Sequence, residues 1–382
     1  MQTCGRPCRS GPPEKIPRPG VVRGGTREGS MTQSTNAADA MAAQLARARE
    51  KKELGYAKKG LVLALVSGII WSFDGLALGQ GLGCAPFTLP AVWLLAPLLA
   101  AGVHDLCAAL FCFGWNAGQG RAREVFRTLV SRPGRLCVLG ALFGAPLGMG
   151  GYLMAVSLAG PAYTLPITSL YPAIAAVLAA VFLRERISRR AWVGLALCVA
   201  GAVVIGYTPP ETDAGSFSFY LGIAFAVLAA FGWAAEGVCV TSGMDLAEPA
   251  VALCIREFTS ALLYGLFIVP GVMLYLSLGQ SAFSSARFLA EALTSAGLLF
   301  VMLAGVIGCT SYLCWYPAMN MTGVSRAMSL NITYSLWGVL FSALFTDIDI
   351  TRNLVIGSLI IFAGMFLVIG NPRDIINLRN VD

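Results

Sequence analysis

Long apolar runs separated by short polar segments fill most of the chain from about residue 60 onward. The runs are continuous, and many are about 20 residues long, the length at which a helix spans roughly 30 Å of hydrocarbon. An outer-membrane barrel would instead alternate apolar and polar residues. The pattern predicts an all-α polytopic membrane protein with ten transmembrane helices, at about 60–79, 88–115, 136–158, 162–183, 191–208, 217–241, 249–277, 296–317, 322–345 and 352–370.

The chain also repeats itself. Residues 171–201 align without gaps with residues 334–364 at an offset of 163, and the alignment pairs tyrosines, glycines and an arginine. Near the start of each half, WSFDGL (71–76) aligns with WAAEGV (233–238) at an offset of 162. Two copies of one five-helix unit are therefore expected.

Five spans per half is an odd number, so the second half must cross the membrane in the opposite direction. We predict two inverted repeats, at 60–208 and 217–370, flanked by tails at 1–59 and 371–382. Inverted repeats place a binding site near the midplane of the membrane, and rocking of one half against the other gives alternating access.

Charge is scarce and uneven. Charged residues make up 12% of the chain against 57% hydrophobic ones, about half the share typical of soluble domains, which excludes a soluble enzyme. Residues 1–59 hold 12 Lys and Arg against five acids, which accounts for the whole net charge of +7. Five Arg lie in 116–135 and four in 184–190, whereas 80–87 and 209–216 hold none. We therefore expect both termini in the cytoplasm, at a bacterial inner membrane, and no nucleic-acid partner.

The N-terminal tail is predicted to be passive. Residues 1–30 are rich in Gly, Pro and Arg and lack the apolar stretch of a signal peptide, so we expect disorder there, with Met31 as an alternative start. The Ala-rich segment 36–54 is compatible with a short surface helix.

Several kinds of chemistry are not expected. With one His and 11 mostly scattered Cys, neither a metal site nor a cofactor is predicted. The sequence contains no nucleotide-binding loop and no recognisable pairing of a nucleophile with a base. We therefore expect neither ATP-driven pumping nor an enzyme. We therefore expect a secondary transporter of a small molecule. Membrane lipids surround it, and protons are candidate coupling ions. The alternatives are an intramembrane lipid-handling or enzymatic protein, and a facilitative channel or carrier without ion coupling.

A family resemblance follows from residues 171–206, which read YP…FLRERISRRAWVGLALCVAGAVVIG. This segment resembles the drug/metabolite transporter superfamily, in its ten-helix branch of two EamA domains. The matching positions are Pro172 in the fourth helix, Glu185 at its end, and Gly194 and Gly201 in the fifth helix. The resemblance implies a transporter of amino acids, drugs, sugars, cofactors or other metabolites, and we expect export of an amino acid, amine or drug-like compound.

The second copy departs from this pattern in part: Asp347 or Asp349 would replace the glutamate, and Ser335 the proline. The segment CIREFTSALL (254–263) resembles the family's Arg-bearing seventh helix, but its counterpart AVWLLAPLLAAG (91–102) lacks the Arg.

The best candidates for substrate or proton coupling are Asp74 and Glu236. Each lies three residues after a tryptophan, Trp71 or Trp233, in the first helix of its half. A buried carboxyl group can exchange a proton for a cationic substrate, as an acid in the small multidrug-resistance branch of the superfamily does. The alternative is that each acid only accepts hydrogen bonds from neighbouring helices.

Other ionisable residues are candidates for the cavity lining. His104 and Asp105 are adjacent and project about 100° apart on a helix, so we do not expect both to face one site directly. Arg256 and Glu257 are expected to pair with other helices rather than with each other, with ligand binding or membrane anchoring as the roles open to Arg256.

Aromatic residues complete the predicted pocket, since a tryptophan face can hold a cation. Besides the two tryptophans, the candidates are Tyr152, Tyr171, Trp315, Tyr316 and Tyr334. Packing between helices is the alternative for each of them. The sequence does not indicate an oligomeric state.

Overall fold

The structure, a computed structural model, describes residues 28–159, 167–168, 170–184, 187–206, 217–279, 284–345 and 352–369, and all regular elements in these ranges are helical. Six helices among them are long and apolar enough to cross a membrane: Leu54–Leu82, Leu95–Gly118, Arg132–Ala155, Tyr220–Met244, Pro249–Leu278 and Ala296–Thr322. Shorter apolar helices add to these. An all-α polytopic membrane protein is confirmed.

The first half consists of seven described helices, of which the fourth and fifth belong to one membrane span. They are α1 (Glu28–Leu82), α2 (Leu95–Gly118), α3 (Ala122–Leu129), α4 (Arg132–Leu142), α5 (Gly151–Ala159), α6 (Tyr171–Leu178) and α7 (Arg189–Gly206). A π-helical segment, Phe143–Gly150, joins α4 to α5 and contains Pro146. Proline lacks a backbone N–H and crowds the preceding turn, which accounts for the widened helix there.

The second half follows the same plan within its described ranges. Its helices are α8 (Phe217–Met244), α9 (Pro249–Leu263), α10 (Val269–Gly279), α11 (Ser285–Leu293), α12 (Ala296–Thr322), α13 (Val324–Asn331), α14 (Tyr334–Phe345) and α15 (Arg352–Ile369). A π-helical turn at Tyr264–Ile268 joins α9 to α10.

Four details differ from the predicted spans. The second span begins at Leu95 rather than near residue 88, because the chain before it forms a separate short 3-10 helix at Pro90–Val92. The ninth span, 322–345, is broken into α13 and α14. The segment 116–135 is not all loop, because α3 lies in it and buries Val125 while its basic side chains stay outside. The helix predicted over 36–54 lies within α1. Some predictions lie outside the described residues, namely those for 1–27, 162–166, 209–216, 371–382, Glu185, Asp347 and Asp349.

The last helices of the two halves, α7 and α15, pack closely against each other. A Cβ atom added to Gly201 would lie 2.6 Å from the carbonyl oxygen of Gly357, and one added to Gly364 would lie 2.8 Å from that of Gly194. The repeat offset of 163 pairs Gly194 with Gly357 and Gly201 with Gly364. The repeat therefore makes the two contacts equivalent to each other, as expected for repeats related by a two-fold axis.

Gly201→Ala is expected to lower the free energy of unfolding by about 1 kcal/mol. Overpacking against the backbone costs roughly 1–3 kcal/mol, and about 1 kcal/mol of that is offset by the higher helix propensity of alanine. The control is Gly338→Ala in α14, because no atom lies within 4 Å of its added Cβ. Thermal unfolding in detergent should show a lower Tm for Gly201→Ala only; equal Tm values would contradict the close packing.

Candidate functional site

A pocket lined mainly by aromatic side chains lies between helices of both halves. Its cavity volume is about 30 Å³, and about 360 Å³ of space is free of protein atoms once the open region at its mouth is included. Six aromatic and three small polar residues line it: Trp71, Tyr171, Trp233, Tyr312, Trp315, Tyr334, Ser67, Ser311 and Asn331. None of these described lining residues carries a formal charge. We call this the aromatic pocket.

The rings form two groups, each with contributions from both halves. Trp71 packs against Tyr312 with ring centroids 5.1 Å apart, and Tyr312 packs against Trp315 at 5.5 Å. The repeat-equivalent Trp233 packs edge-on against Tyr171 at 6.1 Å. The pocket therefore lies where the repeats meet.

The polar residues of the pocket bond mainly to one another. The hydroxyls of Ser67 and Ser311 lie 2.9 Å apart. Asn331 Nδ2 donates to Ser67 Oγ at 3.0 Å, and the Tyr171 hydroxyl donates to Asn331 Oδ1 at 3.0 Å. These bonds hold the tyrosine ring in place and engage the Ser67 hydroxyl and the Asn331 amide oxygen.

Two indole N–H groups lack such partners. Trp233 and Trp315 are 7% and 5% exposed, and neither Nε1 forms a hydrogen bond within the described part of the chain. An indole nitrogen can only donate. Both donors therefore lack an acceptor among the described residues, and the Nε1 edge of Trp233 lies against the open face of Gly148.

Five of the predicted aromatic residues line the pocket: Trp71, Trp233, Trp315, Tyr171 and Tyr334. Two others do not. The Tyr152 ring packs against the Trp233 ring at 5.3 Å, and the Tyr316 hydroxyl donates to Glu236 Oε1 at 3.1 Å.

Four lining residues were missed from the sequence: Ser67, Ser311, Tyr312 and Asn331. Spacing offered one signal, since Ser311 and Tyr312 lie about one helical turn before Trp315 and share its face of α12. Ser67 lies four residues before Trp71 in the same way on α1. The small polar residues have no comparable signal in apolar helices.

His104 lies between two carboxyl groups. Its Nε2 lies 3.1 Å from Asp74 Oδ1 on α1, and its Nδ1 lies 2.8 Å from Asp105 Oδ1 on α2. Ser260 on α9 donates a hydrogen bond to Asp105 Oδ2. The three titratable side chains are each 1% exposed. We call Asp74, His104 and Asp105 the histidine triad.

Arg256 holds the second group of acids. Its Nε lies 2.7 Å from Glu236 Oε1, and its Nη1 lies 2.9 Å from Glu257 Oε2 and 3.8 Å from Asp105 Oδ2. Its guanidinium also lies over the Tyr312 ring, 5.1 Å from the centroid. Arg256 therefore connects the histidine triad to Glu236 and touches a wall of the aromatic pocket.

Two expectations about these residues are wrong. His104 and Asp105 face one cluster, because the imidazole reaches α1 with one nitrogen and turns back to its neighbour with the other. Arg256 and Glu257 do pair with each other as well as with other helices, because the long guanidinium side chain can bend towards an adjacent carboxylate.

Glycines make room for the buried acids. A Cβ atom added to Gly308 on α12 would lie 2.6 Å from His104 Nε2 and 3.1 Å from Asp74 Oδ1, and one added to Gly144 would overlap the Glu236 carboxyl group. The two acids thus occupy corresponding niches, in keeping with their equivalence in the repeat. Neither acid is among the described lining residues; each lies one helical turn from a lining tryptophan.

In the part of the chain that the structure describes, no group of three or more His, Cys, Asp or Glu side chains is arranged to hold a metal ion.

Comparison with known proteins gives three findings. The chain matches the EamA-like transporter family over residues 58–207 and again over 220–370. It is 26% identical over 283 residues to Protein LicB of Haemophilus influenzae, covering 74% of this chain and 87% of LicB. Its fold resembles that of a protein of known crystal structure, with a TM-score of 0.60 at 18% identity, covering 81% of this chain and 97% of that one.

Proposed function

The chain belongs to the EamA-like transporter family, as its sequence resemblance indicated, and from this premise we propose that it is a secondary transporter for a small organic cation. The cation binds in the aromatic pocket, and the two repeats rock about it to expose the pocket to either side of the membrane in turn. The observation that carries the proposal is the lining of six aromatic rings without a charged residue among the described lining residues.

Aromatic faces favour a cation through the negative potential above each ring. The gain is about 0.5–2 kcal/mol per well-placed, desolvated contact, and it is largest for tryptophan. Three tryptophans and three tyrosines surround the pocket. A neutral or anionic substrate would receive no such stabilisation from these rings.

The hydrogen-bonding groups favour a fully methylated ammonium group over a primary amine. A primary ammonium carries three N–H donors that need acceptors when they leave water, but the acceptors of Ser67 and Asn331 are already engaged. A quaternary ammonium has no N–H to satisfy.

The two unpartnered indole donors indicate a second feature of the substrate. A hydroxyl or carboxylate oxygen near the ammonium group would accept from Trp233 or Trp315. The substrate class that fits is a small quaternary ammonium compound bearing such an oxygen.

Binding to the purified protein in detergent, measured by calorimetry, tests the proposal. Choline and glycine betaine should bind more tightly than tetramethylammonium, and choline at least about tenfold more tightly than ethanolamine and than its uncharged isostere 3,3-dimethylbutan-1-ol. Equal binding of the isostere, or tighter binding of ethanolamine, would contradict the proposed recognition. Saturable counterflow of labelled choline into proteoliposomes should accompany binding; binding without flux would contradict the transporter.

A further inference from the structure

We infer that helix α3 and the start of α4 form a binding surface for the headgroups of anionic phospholipids at one face of the membrane. The surface combines exposed arginines with exposed apolar side chains, and none of its residues is among the described lining residues of the aromatic pocket. It is therefore independent of the substrate proposed above. We call it the basic surface, and its members are Arg123, Phe126, Arg127, Leu129, Val130, Arg132 and Arg135.

The chain around α3 holds the helix at the membrane boundary. α3 lies between two helices that are long and apolar enough to cross a membrane, Leu95–Gly118 and Arg132–Ala155. Only residues 119–131 separate these two helices, and α3 takes up eight of them. A connection this short cannot carry α3 far from the level at which both helices leave the hydrocarbon. The side chains of α3 are therefore held near the lipid headgroups.

One face of α3 packs on the protein. Val125 is buried on this face, and the Phe126 ring lies edge-on to the ring of Phe113 on α2, with centroids 6.0 Å apart. Just before the helix, Arg121 pairs with Glu248 at 3.0 Å, the residue that precedes α9. These contacts fix the orientation of α3, so its other face points away from the protein.

That outer face carries positive charge without acidic partners. Arg123 and Arg127 lie one turn apart on α3, and Arg132 and Arg135 lie in the first turn of α4. All four side chains are exposed, and none of them forms an ion pair within the described part of the chain. Their charges are therefore available to an anionic group outside the protein.

Apolar side chains lie among these arginines. Phe126, Leu129 and Val130 are each at least 40% exposed. A helix that exposes basic and apolar side chains together is typical of one that lies in the membrane interface. There the arginines meet lipid phosphates, and the apolar side chains meet the upper part of the acyl chains. A soluble acidic partner would match the charges and leave this apolar area in water.

The repeat provides a comparison within the same chain. Helix α11 connects the corresponding spans of the second half, and the offset of 163 places Phe288 at the position of Val125. Both side chains are buried. The two helices therefore pack on the protein in the same way, and the inverted repeats place them at opposite faces of the membrane.

The charges of these two equivalent segments differ. Residues 119–135 contain five arginines and one glutamate, whereas residues 282–298 contain only Arg287 and Glu291, which pair with each other at 2.8 Å. Because α11 packs without the additional arginines, packing does not require them in α3. This difference assigns recognition of anionic headgroups to the face of the membrane at which α3 lies.

Hydrogen–deuterium exchange of the full chain in nanodiscs tests the assignment. Discs of palmitoyl-oleoyl-phosphatidylcholine are compared with discs that contain equal parts of this lipid and palmitoyl-oleoyl-phosphatidylglycerol, so that only the headgroups differ. The amides of α3 should exchange several-fold more slowly in the discs with phosphatidylglycerol, and those of α11 should not change. Unchanged exchange in α3, or equal slowing in α3 and α11, would overturn the inference.

Variants test the contribution of the arginines. In a lipid titration followed by native mass spectrometry, the wild type should bind phosphatidylglycerol at least about tenfold more tightly than phosphatidylcholine, since each arginine near a lipid surface contributes about fivefold. Arg123→Gln/Arg127→Gln should lose most of this preference. The control, Arg189→Gln/Arg190→Gln, removes two exposed arginines from the start of α7 and should retain it. An α3 variant with the wild-type preference, or a control that loses as much, would refute the role of the basic surface; if the α3 variant does not fold, the exchange of the wild type decides.

A soluble headgroup separates a lipid surface from a simple phosphate site. Glycerol phosphate carries the anionic group without acyl chains, so it should neither slow exchange in α3 nor displace phosphatidylglycerol. If it does both, the arginines bind free phosphate esters and the assignment to lipid is wrong. If it does neither while phosphatidylglycerol protects α3, the lipid surface is supported.

Discussion

Arg256→Gln is expected to lower the free energy of unfolding by about 3–5 kcal/mol, the cost typical of removing one partner from a buried ion pair. Arg256 is 1% exposed and lies within ion-pair distance of Glu236 and Glu257, which are 0% exposed. Glutamine leaves these carboxylates in the interior without a counter-charge. The measurement is thermal unfolding in detergent, with the yield of monodisperse protein as a second readout.

The matched control is Arg121→Gln, which removes an arginine from a half-exposed ion pair with Glu248 at 3.0 Å. Solvent screens that pair, so its loss should cost no more than about 1 kcal/mol. Adding Glu236→Gln to Arg256→Gln should restore part of the lost stability, because the buried Glu236 carboxylate is then replaced by a neutral amide. Similar Tm values for Arg256→Gln and Arg121→Gln would show that the buried network contributes little to folding.

Trp71→Leu should weaken choline binding about 30-fold, equivalent to about 2 kcal/mol. The indole lines the pocket and packs against Tyr312 at 5.1 Å, so its removal takes away one cation–π contact and loosens a neighbouring ring. Trp71→Phe keeps an aromatic face and should lose much less. The Kd is measured by calorimetry at pH 8.

Two controls separate recognition of the cation from loss of apolar surface. Trp115→Leu changes a tryptophan on α2 that is 49% exposed and outside the described lining of the pocket, and it should bind choline as the wild type does. The uncharged isostere of choline should lose little affinity on Trp71→Leu. A comparable loss for choline and its isostere would mean that the ring contributes burial rather than cation binding.

Much of the fold could be predicted because membrane insertion constrains the sequence locally. A spanning helix must satisfy its own backbone hydrogen bonds and stay apolar for about 20 residues, so most of the described spans could be located to within a few residues. Exceptions arose at breaks in the helices: the division of the ninth span into α13 and α14, and the short helix α3 in a segment predicted as loop. These details depend on packing against other helices.

The candidate site could be predicted only in part. Trp71 and Trp233 stood out because the repeat preserves them beside Asp74 and Glu236, and both tryptophans line the pocket. Tyr312 lacks an aromatic counterpart in the first half, and it was missed although it lies between the pocket and Arg256.

The sequence by itself determined the membrane class, the two inverted repeats and the equivalence of Asp74 with Glu236, because hydrophobic length and internal repetition are properties of the linear chain. Only the tertiary structure decided which partner each acid has. His104 lies 30 residues from Asp74 and Arg256 lies 20 from Glu236, and Tyr316 lies 80 residues from Glu236. Such pairings depend on which helices become neighbours, and in a buried, low-dielectric interior those neighbours determine which charges are stable and which can exchange a proton.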